Sequence, residues 1–153
     1  MDKNITHFEY SVAATQGENR ISQIITPEVS VTLECATPPE FPNGIAGVWS
    51  PETYFLAAIA GCFVNTYQVL ADKFGFKPAG FGCEASGKVA FVDGKYGFTE
   101  ITITPKITLE SAEQEATAVK VAEKAHKYCL ISNSVKCPVL MAEKMVFQVL
   151  ETA

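Results

Sequence analysis

The sequence predicts an α+β domain, with antiparallel sheets around a long buried helix and a second helix that carries a cysteine. Three observations carry that prediction. The first third alternates apolar and polar residues with a period of two. Residues 50–74 are apolar around nearly the whole helical circumference. Two long strand-like runs then flank Asp93-Gly94, a strong hairpin signal.

Taken in order, "HFEYSVAAT" and "VSVTLECAT" fit half-buried strands, with "QGEN" as a turn and "ISQII" as a short strand between them. "PPEFPNGIAG" reads as loop, because three prolines and two glycines in ten residues suit neither helix nor strand. Ser50 is a good N-cap, Pro51 is tolerated at the first helical position, and Glu52 lies where the helix dipole favours an anion. From Tyr54 to Phe74 the only glycine is Gly61, and Tyr54 to Ala60 are consecutively apolar or aromatic. Such a helix is expected to be buried all round, with a sheet on one side and another apolar surface opposite. After the hairpin, Ser111 and Gln114 offer a capping box, and Ala118, Val121, Ala122 and Ala125 recur at helical spacing. "ISNS" is expected to end that helix, and "KMVFQVLET" to form a closing strand. No repeat or linker interrupts the order, so one domain over 1–153 is expected.

With 153 residues, 48% of them hydrophobic and 19% charged, the chain reads as an ordinary soluble globular protein with a core of useful size. A formal net charge of -5 and no dense Lys/Arg run argue against nucleic-acid binding. Arg20 is the only arginine, so no guanidinium cluster for phosphates can form. The opening "MDKNITHFEY" lacks the pattern of a secretory leader, and no uninterrupted apolar run reaches the roughly 18 residues of a membrane span. Cys35, Cys62, Cys83, Cys129 and Cys137 form no CxxC pair. An odd count without a leader favours free thiols in a cytoplasmic setting.

Cys62 lies inside the first helix and Cys129 at the end of the second. Free cysteine is most often a small buried hydrophobe, whereas a reactive thiol needs thiolate character, access and nearby positive charge. Cys62 lies about three turns into its helix, too far for the dipole to be its main activator. Help is therefore expected from a side chain: Arg20, or His126 three residues before Cys129 on the same helical face.

These residues carry a resemblance. "WSPETYFLAAIAGCF" resembles the signature of the OsmC/Ohr superfamily (osmotically inducible protein C and organic hydroperoxide resistance protein). That signature is a Pro-Glu helix start, an Ala-rich apolar turn and a small-Cys-Phe ending. "AHKYCLISNSV" resembles its second signature, an Ala-rich helix ending in Cys with Ser-Asn soon after, and "TPPEFPNG" agrees as a loop. Leu130 departs from the pattern, because relatives usually have proline after the second cysteine, while a Cys-Pro occurs later at Cys137-Pro138.

The resemblance implies an OsmC-like fold and a thiol peroxidase acting on a small organic hydroperoxide. Cys62 would be the peroxidatic thiolate, Cys129 the resolving thiol with Cys137 as runner-up, and Glu52 the helix-start glutamate that pairs with a catalytic arginine, here Arg20. Cys35 and Cys83 read as packing residues. The cycle runs through a sulfenic acid and a disulfide reopened by a dithiol reductant, and needs no cofactor or metal. A zinc site from His126, Cys129 and Cys137 matches no common framework. Glu52 and Cys62 are ten residues apart, about 15 Å on a straight helix. Serving one chemistry would take a second chain or a break in the helix; since the all-round apolar helix also asks for a partner surface, an intertwined homodimer with sites at its interface is expected. The rival is a non-catalytic homodimer of the same fold with inert thiols, in a binding or structural role. Neither nucleic acid nor a membrane is expected as a partner.

Overall fold

The structure, a computed structural model, describes residues 7–150. Most of the "MDKNITHFEY" opening read for a leader, and the last residues of the closing run, lie outside them. The chain divides into two compact units, Met1–Tyr54 and Phe55–Ala153.

In the first unit, β1 (Ala13–Gln16), β2 (Ser22–Thr26) and β3 (Val29–Cys35) form an antiparallel sheet in that order. The first strand starts later than the "HFEYSVAAT" alternation suggests: Phe8, Tyr10 and Val12 precede it and are exposed. "QGEN" becomes a single 3-10 turn over Glu18–Arg20, in which Asn19 and Arg20 have φ of 52° and 65°. Val29, Val31 and Leu33 of β3 are all exposed, so this sheet keeps an apolar surface uncovered.

Helix α1 (Pro51–Lys73) starts where the sequence places it. The Thr53 amide donates to Ser50 Oγ at 3.2 Å, and the Ser50 amide donates to Thr53 Oγ1 at 2.8 Å. Threonine thus does the work of the usual Glu or Gln in a capping box. The helix stops at Gly75, whose φ of 64° only glycine adopts without strain. The Phe76 amide closes the end on the Ala71 carbonyl at 2.9 Å. All-round burial does not occur within the chain. Ile59, Phe63, Tyr67 and Ala71, spaced by four, are buried, while Ala57, Ala58, Gly61 and Gln68 are exposed. One chain supplies packing for a single stripe. By mean hydropathy α1 is also long and apolar enough to cross a membrane, a property that core helices share, so the search for uninterrupted runs understated it.

In the second unit, β4 (Gly80–Val92) and β5 (Lys95–Leu109) form the expected hairpin. Asp93 and Gly94 have φ of 52° and 78°, as a two-residue turn matched to strand twist requires. Inward residues of β5, Ile101, Ile103, Ile107 and Leu109, pack with the α1 stripe and with Ala118, Val121, Ala122 and Ala125 of α2 (Glu115–Tyr128). The predicted capping box does not form. A 3-10 turn over Ala112–Gln114 intervenes, and the Gln114 side chain accepts from the Glu110 amide at 2.9 Å. Nor does "ISNS" end α2. The helix stops at Tyr128, Cys129 is extended at ψ 111°, and a short α3 (Leu130–Asn133) follows.

The second sheet is mixed. β6 (Val139–Met141) and β7 (Val146–Val149) both pair parallel to β5, the first at Ile101–Ile103 and the second at Lys106–Leu109. Pro105 falls in the gap between them, which suits a residue with no amide proton to give. Three residues are too few to show a period, so β6 was not legible.

Candidate active site

Cys62 lies on the flank of α1 next to its buried stripe, half-buried, and faces the junction of α2 and α3. Cys129 is that junction and is wholly buried. The extended Cys129 ends one helix and starts another, so the first amides of α3 have no acceptor one turn back. They serve sulfur instead.

Burial raises the Cys62 thiol pKa, but neighbouring polar groups together outweigh it and bring it below the ordinary thiol value. In descending order they are the Ile131 amide, the Cys129 thiol, Thr66, whose hydroxyl donates to the Cys62 carbonyl at 2.8 Å, and the Leu130 amide. For Cys129 the balance is opposite. Burial raises it, the Ser132 hydroxyl and amide work against that, and the bond to Cys62 raises it further. The proton therefore stays on Cys129 while Cys62 takes the charge.

The Ser-Asn after Cys129 has a physical role. Ser132 Oγ donates to Cys129 Sγ at 3.1 Å. Asn133 Nδ2 donates to the Lys127 carbonyl at 3.0 Å and the Cys129 carbonyl at 2.9 Å, closing the frayed end of α2. Ser132 and Asn133 were visible in the sequence only as a motif, and the amides of Leu130 and Ile131 not at all.

Among the described residues of the second unit, no side chain of the kind expected to charge Cys62 acts on it. His126 places Nε2 at 2.9 Å from the Val139 carbonyl, and burial lowers its pKa, so it is neutral at pH 7. Cys137 packs on the core edge, and it is Cys129 that acts on the Cys62 thiol. Cys83 also packs there, and burial holds its thiol at about 11.

Glu52 and Arg20 belong to the first unit. Glu52 sits in the first turn of α1 with Oε2 buried and without a hydrogen-bond partner. Arg20 is exposed, and among the described residues it forms no ion pair with Glu52. Cys35, at the end of β3, is buried; burial first and the Glu52 charge second push its thiol up. A cavity of about 690 Å3 opens beside Cys62 in the second unit, with Thr66, Val69, Leu70, Lys73 and Tyr128 also in its wall.

Comparison with known proteins agrees with this fold. The family model described as OsmC-like protein matches residues 42–144, more than half of the chain. The uncharacterized protein YmaD of Bacillus subtilis is 26% identical over 90 residues, which are 57% of this chain and 60% of YmaD, so the match spans less than two thirds of that relative. An OsmC-like protein of unknown function from Vibrio cholerae superposes with a TM-score of 0.75 at 21% identity, covering 89% of this chain and 99% of its own. An organic hydroperoxide resistance protein from Elizabethkingia anophelis gives 0.73 at 20% identity, covering 95% and 99%. The organic hydroperoxide resistance protein OhrB of Bacillus subtilis gives 0.66 at 19%, covering 92% and 98%. At these identities the likeness to solved structures is one of fold.

Proposed function

The chain belongs to the OsmC-like protein family, and from that premise we propose that it is a cysteine-based peroxidase that reduces organic hydroperoxides. The feature that carries this reading is the placement of Cys62 beside Cys129 at the α2–α3 break, where the Cys62 thiol is drawn down in pKa and the Cys129 thiol is pushed up. A reactive thiol next to a protonated one is what a two-step disulfide cycle needs.

In that cycle the Cys62 thiolate attacks the terminal oxygen of the hydroperoxide. The O–O bond breaks, the alkoxide leaves and takes a proton to become the alcohol, and Cys62 becomes a sulfenic acid. The Cys129 sulfur then displaces water from that sulfenic acid and a disulfide forms. A dithiol reductant restores both thiols and is itself oxidised to a disulfide.

The reading extends to Glu52 and Arg20 and to a second copy of the chain. A buried carboxylate oxygen without a donor calls for a cation, and Arg20 is the only guanidinium in the chain. Arg20 also holds a left-handed backbone, uncommon for a side chain of its kind and typical of functional turns. The uncovered side of α1, with Ala57, Gly61 and Gln68, and the exposed apolar residues of β3 favour an intertwined homodimer of single domains. The setting that fits free thiols is the cytoplasm.

The rival reading is a non-catalytic dimer of this fold, favoured by the lack of an Arg20–Glu52 pair within the chain. Mass spectrometry after one equivalent of an alkyl hydroperoxide separates them. The peroxidase gives a Cys62–Cys129 disulfide that is lost in Cys62→Ser. Five reduced thiols beside unconsumed peroxide leave the inert dimer standing.

A further inference from the structure

The first unit carries a cavity of its own, of about 600 Å3, between the β2–β3 pair and the loop at 47–49. Thr32 and Glu34 stand two residues apart on β3, so they share a face of the sheet, and Gln23 pairs with Glu34 across the ladder. Leu33, Val48, Trp49 and Tyr54 supply the apolar and aromatic part of the wall. The aromatic pair is fixed in place. The rings of Trp49 and Tyr54 stack with centroids 5.2 Å apart and 22° between their planes. The Tyr54 hydroxyl donates to the Glu34 carbonyl at 2.8 Å, and the Trp49 carbonyl accepts from the Ala36 amide at 2.9 Å. Both bonds tie the pair to β3 and the residue after it, so the wall is ordered before any occupant arrives. Yet Trp49 is 55% exposed, a large ring surface that the chain leaves uncovered.

The charge at this cavity is negative and uncompensated. Glu34 makes no ion pair among the described residues. Its charge reaches the aromatic wall: burial first, then Cys35 and Glu34, push the Tyr54 hydroxyl up. Residues 7–54 hold six glutamates and one arginine, with no aspartate and no lysine. Arg20 is thus the only fixed cation among them, and it forms no ion pair with Glu34.

We propose that this cavity binds a guanidinium group, the planar cation of an arginine side chain or of a small guanidino compound. A guanidinium lies flat on an aromatic face and gives two parallel N–H bonds to one carboxylate, so Trp49 and Glu34 suit it on both counts. Its remaining N–H groups find acceptors in the Gln23 amide oxygen and the Thr32 hydroxyl. A simple ammonium would use the carboxylate and leave the planar match idle. A quaternary ammonium wants rings on several sides, whereas these two rings stack on each other. A guanidinium alone fills a small part of the 600 Å3, which leaves room for the stem of the molecule that carries it. Neither Cys62 nor Cys129 lines this cavity, so the binding stands or falls apart from the peroxidase reading.

Trp49 is the only tryptophan in the chain, so its fluorescence reads the site directly. The full chain is titrated with acetyl-arginine amide, acetyl-lysine amide and the neutral acetyl-citrulline amide. The arginine compound should change Trp49 emission saturably, with a Kd roughly 3–5-fold below that of the lysine compound, the margin of an exposed stacked cation. The citrulline compound, of the same shape without the charge, should bind least. Glu34→Gln should weaken the arginine compound about 5-fold. Glu40→Gln removes the same charge from the same unit outside the cavity and should leave the Kd in place. Both glutamates are exposed, so both variants should fold, with Trp49 emission in the free protein as the check. Butylguanidine and an acetyl-Gly-Arg-Gly amide peptide separate the two sources. Similar Kd values assign a small guanidino compound, and tighter binding of the peptide assigns an arginine displayed on a protein. Equal Kd values for the arginine and lysine compounds, or equal losses in Glu34→Gln and Glu40→Gln, reduce the binding to general charge attraction and overturn the site. Absence of saturation overturns it as well.

Discussion

Cys62, in the middle of α1, faces Cys129 at the break between α2 and α3, and the two thiols are drawn apart in pKa, Cys62 down and Cys129 up. No cation takes part in that arrangement within the second unit. Amides released by the extended backbone of Cys129 act on the Cys62 thiol within that unit.

The pH dependence follows from this. A depressed Cys62 pKa means that thiolate is lost as pH falls through a midpoint below the ordinary thiol value of about 8.5. Alkylation of Cys62 should therefore rise with pH to that midpoint and level off above it. Iodoacetamide rates read by mass spectrometry check this, and a midpoint at or above the ordinary value contradicts it. Cys129→Ala removes a donor and should move the midpoint up.

Leu130→Pro isolates the amide contribution. Leu130 is 66% exposed and begins α3, where proline is tolerated, and the extended Cys129 before it suits a pre-proline position. The substitution removes one N–H from beside Cys62 and little else. The alkylation midpoint should rise in Leu130→Pro and stay in place in Leu130→Ala. Equal midpoints would show that this amide does not reach the thiolate.

Asn133 holds the α2 end through two bonds from one amide group. Asn133→Ala leaves those carbonyls to water or to nothing, at a cost of about 1 kcal/mol in urea unfolding. It should also slow disulfide formation, because the Cys129 backbone is no longer held. Unchanged stability would mean that solvent replaces the side chain without loss.

Tyr67 gives a prediction of opposite sign. Its ring stacks on Phe81 at 3.7 Å, while its hydroxyl is buried without a hydrogen-bond partner. Burial alone pushes its pKa far up. Tyr67→Phe keeps the stack and removes a polar group left unsatisfied, so unfolding free energy should rise by about 1 kcal/mol. A loss of stability would reveal a partner for the hydroxyl, and a second copy of the chain is the first place to look.

Arg20 and Glu52 test the assignment that rests most on resemblance. Arg20 is exposed, so Arg20→Met should leave the fold intact. As the charge that completes the site it should lower kcat/KM for a hydroperoxide by roughly 10²-fold. Full activity in Arg20→Met would remove it from the site. If the Glu52 oxygen, buried without a partner, anchors that cation, Glu52→Gln should act in the same direction.

What the sequence made legible divides along physical lines. The α1 start, the Asp93-Gly94 turn and the buried face of α2 are set by neighbours within a few residues, so local chemistry reveals them. The pairing of Cys62 with Cys129 was readable only through two motifs, because 66 intervening positions separate residues that the fold brings together. The Leu130 and Ile131 amides belong to the backbone, and no residue type announces a free N–H. β6 has three residues and owes its existence to the edge of β5. The Ser111–Gln114 box failed because a 3-10 turn moved the start of α2 to Glu115.

Gly61 decides whether α1 has a second partner. A Cβ there would meet nothing within 4 Å in the single chain, and the residue is exposed. If the chain works alone, Gly61→Ala should simply stabilise the helix, by about 0.5–1 kcal/mol, and Gly61→Arg should be harmless. If a second α1 lies against Ala57, Gly61 and Gln68, the glycine is there to allow close approach. Gly61→Arg should then leave a folded chain but halve its mass in sizing with light scattering, and peroxidase activity should fall with the dimer. A native protein that is already monomeric and active would overturn the dimer outright. The small residues on the exposed face of α1, Ala57 and Gly61, would then need another explanation.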